Sequence, residues 1–365
     1  METTMATANP TARKWNPLTE WKHVDVPWVR VNIGKEDLAR FTKKSNTKGL
    51  LHAVPFLLLF GATGTLCYWA FSQKLWVLMA FALYFHGTFY GFFGNALHEL
   101  SHNTVFRSKW LNVAFTSFFG WLYWPMNPHF YRLSHLKYHH RYTLYQGADG
   151  EDTPNYVELK GRLLLGLFLA AIHPKQLAQC LWRLFTFKPL SNGWRGRGFN
   201  FDTWEQFIWQ NANAKERAQV MRMHWATLVG HVIFSAACIA MGWWFIPILV
   251  TCAPFYGAGW IGYQAGIHQH AACEANNPDF RISCGDALLG PLSSFLYWRM
   301  EHHIEHHMFA AIPCYNLKKF SRFVADQLPA KEWALPRLVK LHKTCKVKYG
   351  SYKAWRDSFG LYKGF

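Results

Sequence analysis

The strongest constraint in this 365-residue chain is a pair of long apolar stretches with almost nothing between them. The first, LLHAVPFLLLFGATGTLCYWAF (50–71), and the second, LWVLMAFALYFHGTFYGFFGNAL (75–97), are separated only by SQK. Each is longer than the roughly 20 residues that cross about 30 Å of hydrocarbon at about 1.5 Å per helical residue. A three-residue link leaves two such helices one arrangement, a tight antiparallel hairpin. A second pair follows at 224–245 and 246–267, with Pro247 breaking the helix and no charge in the turn. The fold class expected is all-α and integral to a membrane, with four transmembrane helices in two hairpins.

Composition agrees once the placement of charge is considered. The chain is 51% hydrophobic and 18% aromatic, and its mean hydropathy of −0.08 reflects charge that is segregated rather than spread. A net charge of +18 raises nucleic acid first, but apolar, Trp-rich sequence between basic segments favours a membrane surface, and no nucleic-acid partner is expected. Lys and Arg number nine in residues 1–49, fifteen in 98–223 and thirteen from Arg299 onward, against one, Lys74, in the hairpin turns. By the positive-inside rule both termini and the central segment face the cytosol, in a bacterial inner membrane or the endoplasmic reticulum. The division expected is a cytosolic N-terminal segment (1–49), a membrane domain (50–330) with a cytosolic helical cap, and a basic tail (331–365). The N-terminal residues contain no apolar core of a cleavable signal peptide. The stretch 110–125 is too short to span and reads as an interfacial or re-entrant helix; 159–174 reads as a helix on the bilayer and 189–200 as a loop. Eight cysteines without a CxxC pair read as free thiols.

Eleven of the 19 histidines fall in four short strings: HELSH (98–102), HLKYHH (135–140), HQH (268–270) and HHIEHH (302–307). All sit on the cytosolic side or at the cytosolic end of a span, so they can converge. His98 and His102, at i and i+4, share a helical face. In helical geometry His135 and His139 also share a face and His140 lies about 100° away, so this triplet can address two metal ions. His303, His306 and His307 repeat the spacing, with His302 beside them. HELSH resembles a zinc-protease motif, but that reading leaves the other strings unexplained. Eight or nine imidazoles without a cysteine ligand exceed the four that zinc takes and match what two five- or six-coordinate ions need. His86 and His231, inside the spans, read as packing residues.

HELSH, HLKYHH and HHIEHH, in this order and with two hairpins around them, resemble the three histidine boxes of the membrane fatty acid desaturase and hydroxylase superfamily. HELSHNTVF and HHRYTLYQGADGED look like its sphingolipid branch; HHIEHHMFAAIPCYNL is closer to acyl-lipid desaturases and carotenoid ketolases. The resemblance implies a non-haem diiron centre on His98, His102, His135, His139, His140, His303, His306 and His307, with O2 as co-substrate. It also implies a ninth histidine at the end of the fourth span, preceded by a residue holding an iron-bound water. Gln264 and His268, four apart, fit that pair, with His270 as the competitor. His129 and His302 read as outer or structural residues. Glu99, Glu301, Glu305, Asp149 and Asp152 are the acids near enough to orient the imidazoles, although the last two can instead cap a turn.

Oxidising an unactivated C–H bond requires oxygen and two electrons per turnover. The chain has no HPGG haem loop, no GxGxxG and no four clustered cysteines, so a separate donor is implied, a ferredoxin or cytochrome b5 with its reductase. The implied substrate is an aliphatic lipid, fatty acyl or sphingoid. Desaturation and hydroxylation begin with the same hydrogen abstraction, and a membrane zinc hydrolase is the remote alternative.

Overall fold

The computed structural model describes residues 16–159, 201–256 and 266–358. The stretches read above as a surface helix (159–174, save Leu159) and a loop (189–200), together with Gln264, lie outside the described residues. What is described is helical, with only isolated β-bridges. Helix α1 (Lys35–Thr42) leads through Ser45 into α2 (Asn46–Ser72), where the Ser45 hydroxyl accepts from the Lys48 amide. Helix α3 (Trp76–Gly91) returns along α2 and, after a break at Phe92, continues as α4 (Phe93–Ser101). Helix α5 (Lys109–Leu122) and α6 (Pro128–Ser134) follow, and α6 runs directly into a π turn at His135–His139. Helix α7 (Phe201–Gln210) precedes α8 (Ala214–Ala240), which opens with a reciprocal cap between Asn213 and Glu216. Helices α9 (His303–Met308), α10 (Cys314–Phe323), α11 (Ala334–Tyr349) and α12 (Tyr352–Ser358) complete the chain.

Three helices among the described residues are long and apolar enough to cross a membrane: α2, the run Trp76–Ser101, and α8. The first hairpin matches its expected bounds closely. The expected third span, 224–245, is displaced: α8 starts ten residues earlier and ends at Ala240. The chain turns at Gly242, whose φ of +79° suits a residue without Cβ. Pro247 therefore does not make the break. It lies in the first turn of the short helix Phe245–Val250, where its missing N–H costs nothing. The expected fourth span begins as that helix and Ala253–Tyr256, and residues 257–265 lie outside the described residues. Helix α5 has the length of a surface or re-entrant element, with Trp110 and Val113 exposed and Leu111, Phe119 and Leu122 buried.

Between the long helices and the histidine strings lies an aromatic core. Phe56 packs edge-on to Phe93 at 5.0 Å and to Trp298 at 5.7 Å, and Phe93 meets Phe119 at 5.1 Å. All four are fully buried, and fully burying a large apolar side chain contributes about 1.5–3 kcal/mol. The described residues before α1 and after α10 both pack onto the rest of the fold. Trp28 stacks on Phe280 at 4.2 Å, and Arg30 donates to the Met308 carbonyl at 2.8 Å. Leu338, Leu341 and Cys345 of α11 are buried against Val157, Ile267 and Ala271, and Trp355 of α12 donates to the Pro154 carbonyl. The segment expected as a basic tail is, over its described part, docked onto the loops that carry the site, because its apolar residues recur at helical spacing.

Candidate metal centre

Each histidine string is held by a different local device. His98 lies in the last turn of α4 and His102 caps it, so the apolar helix delivers both imidazoles at its end. In HLKYHH the amide of His140 donates to the carbonyl of His135, an i→i+5 bond that widens the turn. The expected pairing of His135 with His139 therefore changes. His135 and His140 face each other, Nε2 to Nε2 at 3.0 Å, while the His139 ring stacks beside His135 at 5.2 Å with its Nδ1 on Asp149. In α9, His303 and His307 share one face and His306 takes another.

The result is two adjoining groups. One nitrogen from each of His98, His102, His135, His140 and His306 lies within 4.8 Å of the others; a second group joins His139, His270, His303 and His307 by the same measure. His140 of the first stacks on His307 of the second, with ring centroids 4.3 Å apart. All eight box histidines are gathered. The ninth is His270, whose Nε2 is 3.1 Å from that of His303; His268, favoured above, is in neither group. The placement is local: 267–270 form a turn that carries His270 into the second group and leaves His268 outside both. His270 is fixed by a bridge in which the Asn155 amide donates to its carbonyl at 2.8 Å. His86 and His231 are packing residues, bonded to Thr63 and the Leu249 carbonyl, and to Thr251 and the Trp121 carbonyl. His129 is in neither group.

Four of the outward nitrogens have hydrogen-bond partners. Nδ1 of His135 is 2.6 Å from Glu151, Nδ1 of His139 is 2.9 Å from Asp149, Nδ1 of His307 is 3.1 Å from the Thr143 hydroxyl, and Nδ1 of His270 is 3.0 Å from the Ser283 carbonyl. Glu99 lies 3.5 Å from Nδ1 of His306. Nε2 of His102 and His307, and both nitrogens of His98 and His306, are buried with no hydrogen-bond partner. Orphaned inward nitrogens with outward partners are the arrangement a metal ion requires of imidazole ligands. The residues therefore fit a pair of metal ions. Glu151, the partner of His135, is not among the acids picked out from sequence, though it sits in the same GADGED string. Its other oxygen accepts from Ser134 at 2.5 Å, and Ser134 accepts from Trp204 of α7. A Cβ on Gly150 would fall inside that indole, so the loop needs glycine there.

Electrostatics point the same way. Burial holds His102, His135, His140, His303, His306 and His307 well below the ordinary histidine range, and lowers His270 to about 3. These imidazoles stay neutral, as ligation demands. Burial also opposes charge on His139, but the Asp149 carboxylate outweighs it and raises His139 to about 9. Burial pushes the Cys273 thiol up to about 12 and Cys284 well above its usual value, so neither offers a thiolate.

A separate cluster, Asp286, His302 and Glu305, already contains a cation. The Lys331 ammonium lies 2.6 Å from Asp286, 2.6 Å from Glu305 and 2.9 Å from Nδ1 of His302. Asp286 also accepts from the Ile304 amide at 2.8 Å, so this knot braces the start of α9 from behind.

Residues 74–337 match the family model described as Fatty acid desaturase, which is more than half of the chain. The chain belongs to the fatty acid desaturase family. Membership implies an oxidoreductase, and the matched region contains all nine gathered histidines together with Lys331. No curated protein matches the chain.

Proposed function

We propose that this family member is a non-haem diiron desaturase that introduces a double bond into the aliphatic chain of a membrane lipid, fatty acyl or sphingoid. The observation that carries the reading is the pair of adjoining all-imidazole groups with unpartnered inward nitrogens. His98, His102, His135, His140 and His306 would hold one iron and His139, His270, His303 and His307 the other. When bound, the irons would use dioxygen and two external electrons to supply the oxidant that takes hydrogen from a C–H bond. The chain's own residues do the rest. Glu151 and Asp149 orient His135 and His139, while Thr143 and the Ser283 carbonyl orient His307 and His270. Burial of both groups beneath the aromatic core excludes water. Nine gathered nitrogen donors, five of them in one set, exceed the four that a single tetrahedral zinc takes, which disfavours the hydrolase.

Four spans, with both termini and the site on the cytosolic face, complete the reading, and the donor is a separate protein such as ferredoxin or cytochrome b5. Host lipids should be compared by mass spectrometry with and without expression, alongside metal analysis of the purified chain. Loss of two hydrogens from a lipid and about two irons per chain are expected, both abolished in His306→Ala. A gain of one oxygen would instead identify a hydroxylase, and one zinc per chain would sink the oxidative reading.

A further inference from the structure

At the foot of α2 lies an open cavity of about 1050 Å³ whose lining carries no carboxylate. Lys43, Lys44 and Lys48 reach it from the start of α2, Arg107 from the loop after the first histidine string, and Lys319 and Arg322 from α10. Among the described residues none of these six has an acidic partner; Lys44 donates to the Asn103 carbonyl at 2.8 Å, and Lys48 meets Asn316 at 3.5 Å. Arg40, also in the lining, is paired with Asp37. The cavity is also where α2 begins, so the amides of Asn46 and Thr47, which no carbonyl precedes in the helix, add their dipole to the cationic lining. Six unpaired cations around a concave space repel one another, and an anion relieves that repulsion.

What lies above the cavity identifies the anion. Thr47 lines it, and Leu51, Val54 and Leu58, at i+4, i+7 and i+11 from Thr47, continue the same face of α2 as an exposed apolar stripe, with Leu51 at 68% and Leu58 at 66% exposure. Asn46 and Ser108 bond each other twice, at 2.7 and 2.9 Å, which holds α5 beside this foot with Trp110 and Val113 exposed. A phosphate in the cavity would therefore have room for acyl chains along α2 and α5. We propose that the cavity binds the phosphate of an anionic glycerophospholipid, a bound lipid distinct from any substrate at the metal centre. A soluble acidic protein would meet the cations but leave the apolar stripe unused.

The test is native mass spectrometry of the delipidated full chain in detergent, with phosphatidylglycerol, phosphatidylcholine or inorganic phosphate added. One retained phosphatidylglycerol is expected, favoured over phosphatidylcholine by about ten-fold or more and persisting in excess inorganic phosphate. Lys43→Gln with Lys319→Gln should lower its retention by about ten-fold at an unchanged melting temperature. Lys343→Gln with Lys346→Gln, which removes equal charge from exposed positions of α11, should not. Equal retention of the two lipids, displacement by inorganic phosphate, or retention unaffected by the cavity substitutions would each overturn the proposal. Iron content and lipid oxidation play no part in this readout, so its failure would leave the proposed chemistry untouched.

Discussion

Asp149 uses both of its oxygens: Oδ1 accepts from the Glu151 amide, while Oδ2 accepts from the Leu144 amide and faces Nδ1 of His139. It caps the turn and orients the imidazole at once, so the two roles weighed from sequence are one. Asp149→Asn keeps an acceptor but loses the charge, and Glu151→Gln does the same for His135. Each should weaken iron retention or activity by about ten- to a hundred-fold, as outer partners of ligating histidines typically do. Metal content after dialysis against a chelator measures this, and iron held as tightly as in the wild type would contradict the role. Lys331 is bound into a different balance. Lys331→Met leaves Asp286 and Glu305 buried without their cation, which should cost about 3–5 kcal/mol. The melting temperature in detergent should fall accordingly, and adding Glu305→Gln to Lys331→Met should recover part of the loss. A melt unaltered by Lys331→Met would show that the ammonium is not holding the carboxylates.

At the scale of elements, the π turn decides which histidines share a metal group. One extra residue in the turn brings His135 and His140 face to face and sends His139 to the second group. Deleting Lys137 would return the segment to ordinary helical spacing and rotate His139 and His140 out of place, so the purified chain should lose iron. Lys137→Ala removes only a half-exposed bridge to Glu216, and should change stability by no more than about 1 kcal/mol. Equal iron in the deletion and the point variant would show that the widened turn is dispensable. The loop 149–155 is the second decisive element. Trp204 of α7 supports it from one side, and its bridge to Ala271 holds His270 from the other.

For the whole molecule, the hairpin of α2 and α3 places the start of α2, the end of α4 and the histidine groups at one end, with Gln73 at the other. Cys345 is fully buried and cannot report sidedness. Val347, on the same helix, is 84% exposed. Val347→Cys should react with an impermeant maleimide only from the cytosolic face, and Gln73→Cys only from the opposite face. Labelling of both from one side would overturn the proposed topology.

The apolar stretches and histidine strings determined a great deal by themselves. A stretch long enough to cross a bilayer has few alternatives to a helix, and a three-residue link leaves a hairpin as its one outcome. Eight imidazoles at helical spacing beside helix ends were legible for the same local reason. The rest depended on chain segments far apart in sequence. His270, and not His268, joins the second group because the turn at 267–270 is held by Asn155. Glu151 meets His135 because Trp204, more than fifty residues later, braces the loop between them through Ser134. Lys331 fills the acidic cluster behind α9 only because the C-terminal helices fold back onto the site. Spacing along a helix is a local property; which buried nitrogen meets which carboxylate is settled by packing, and that belongs to the tertiary structure alone.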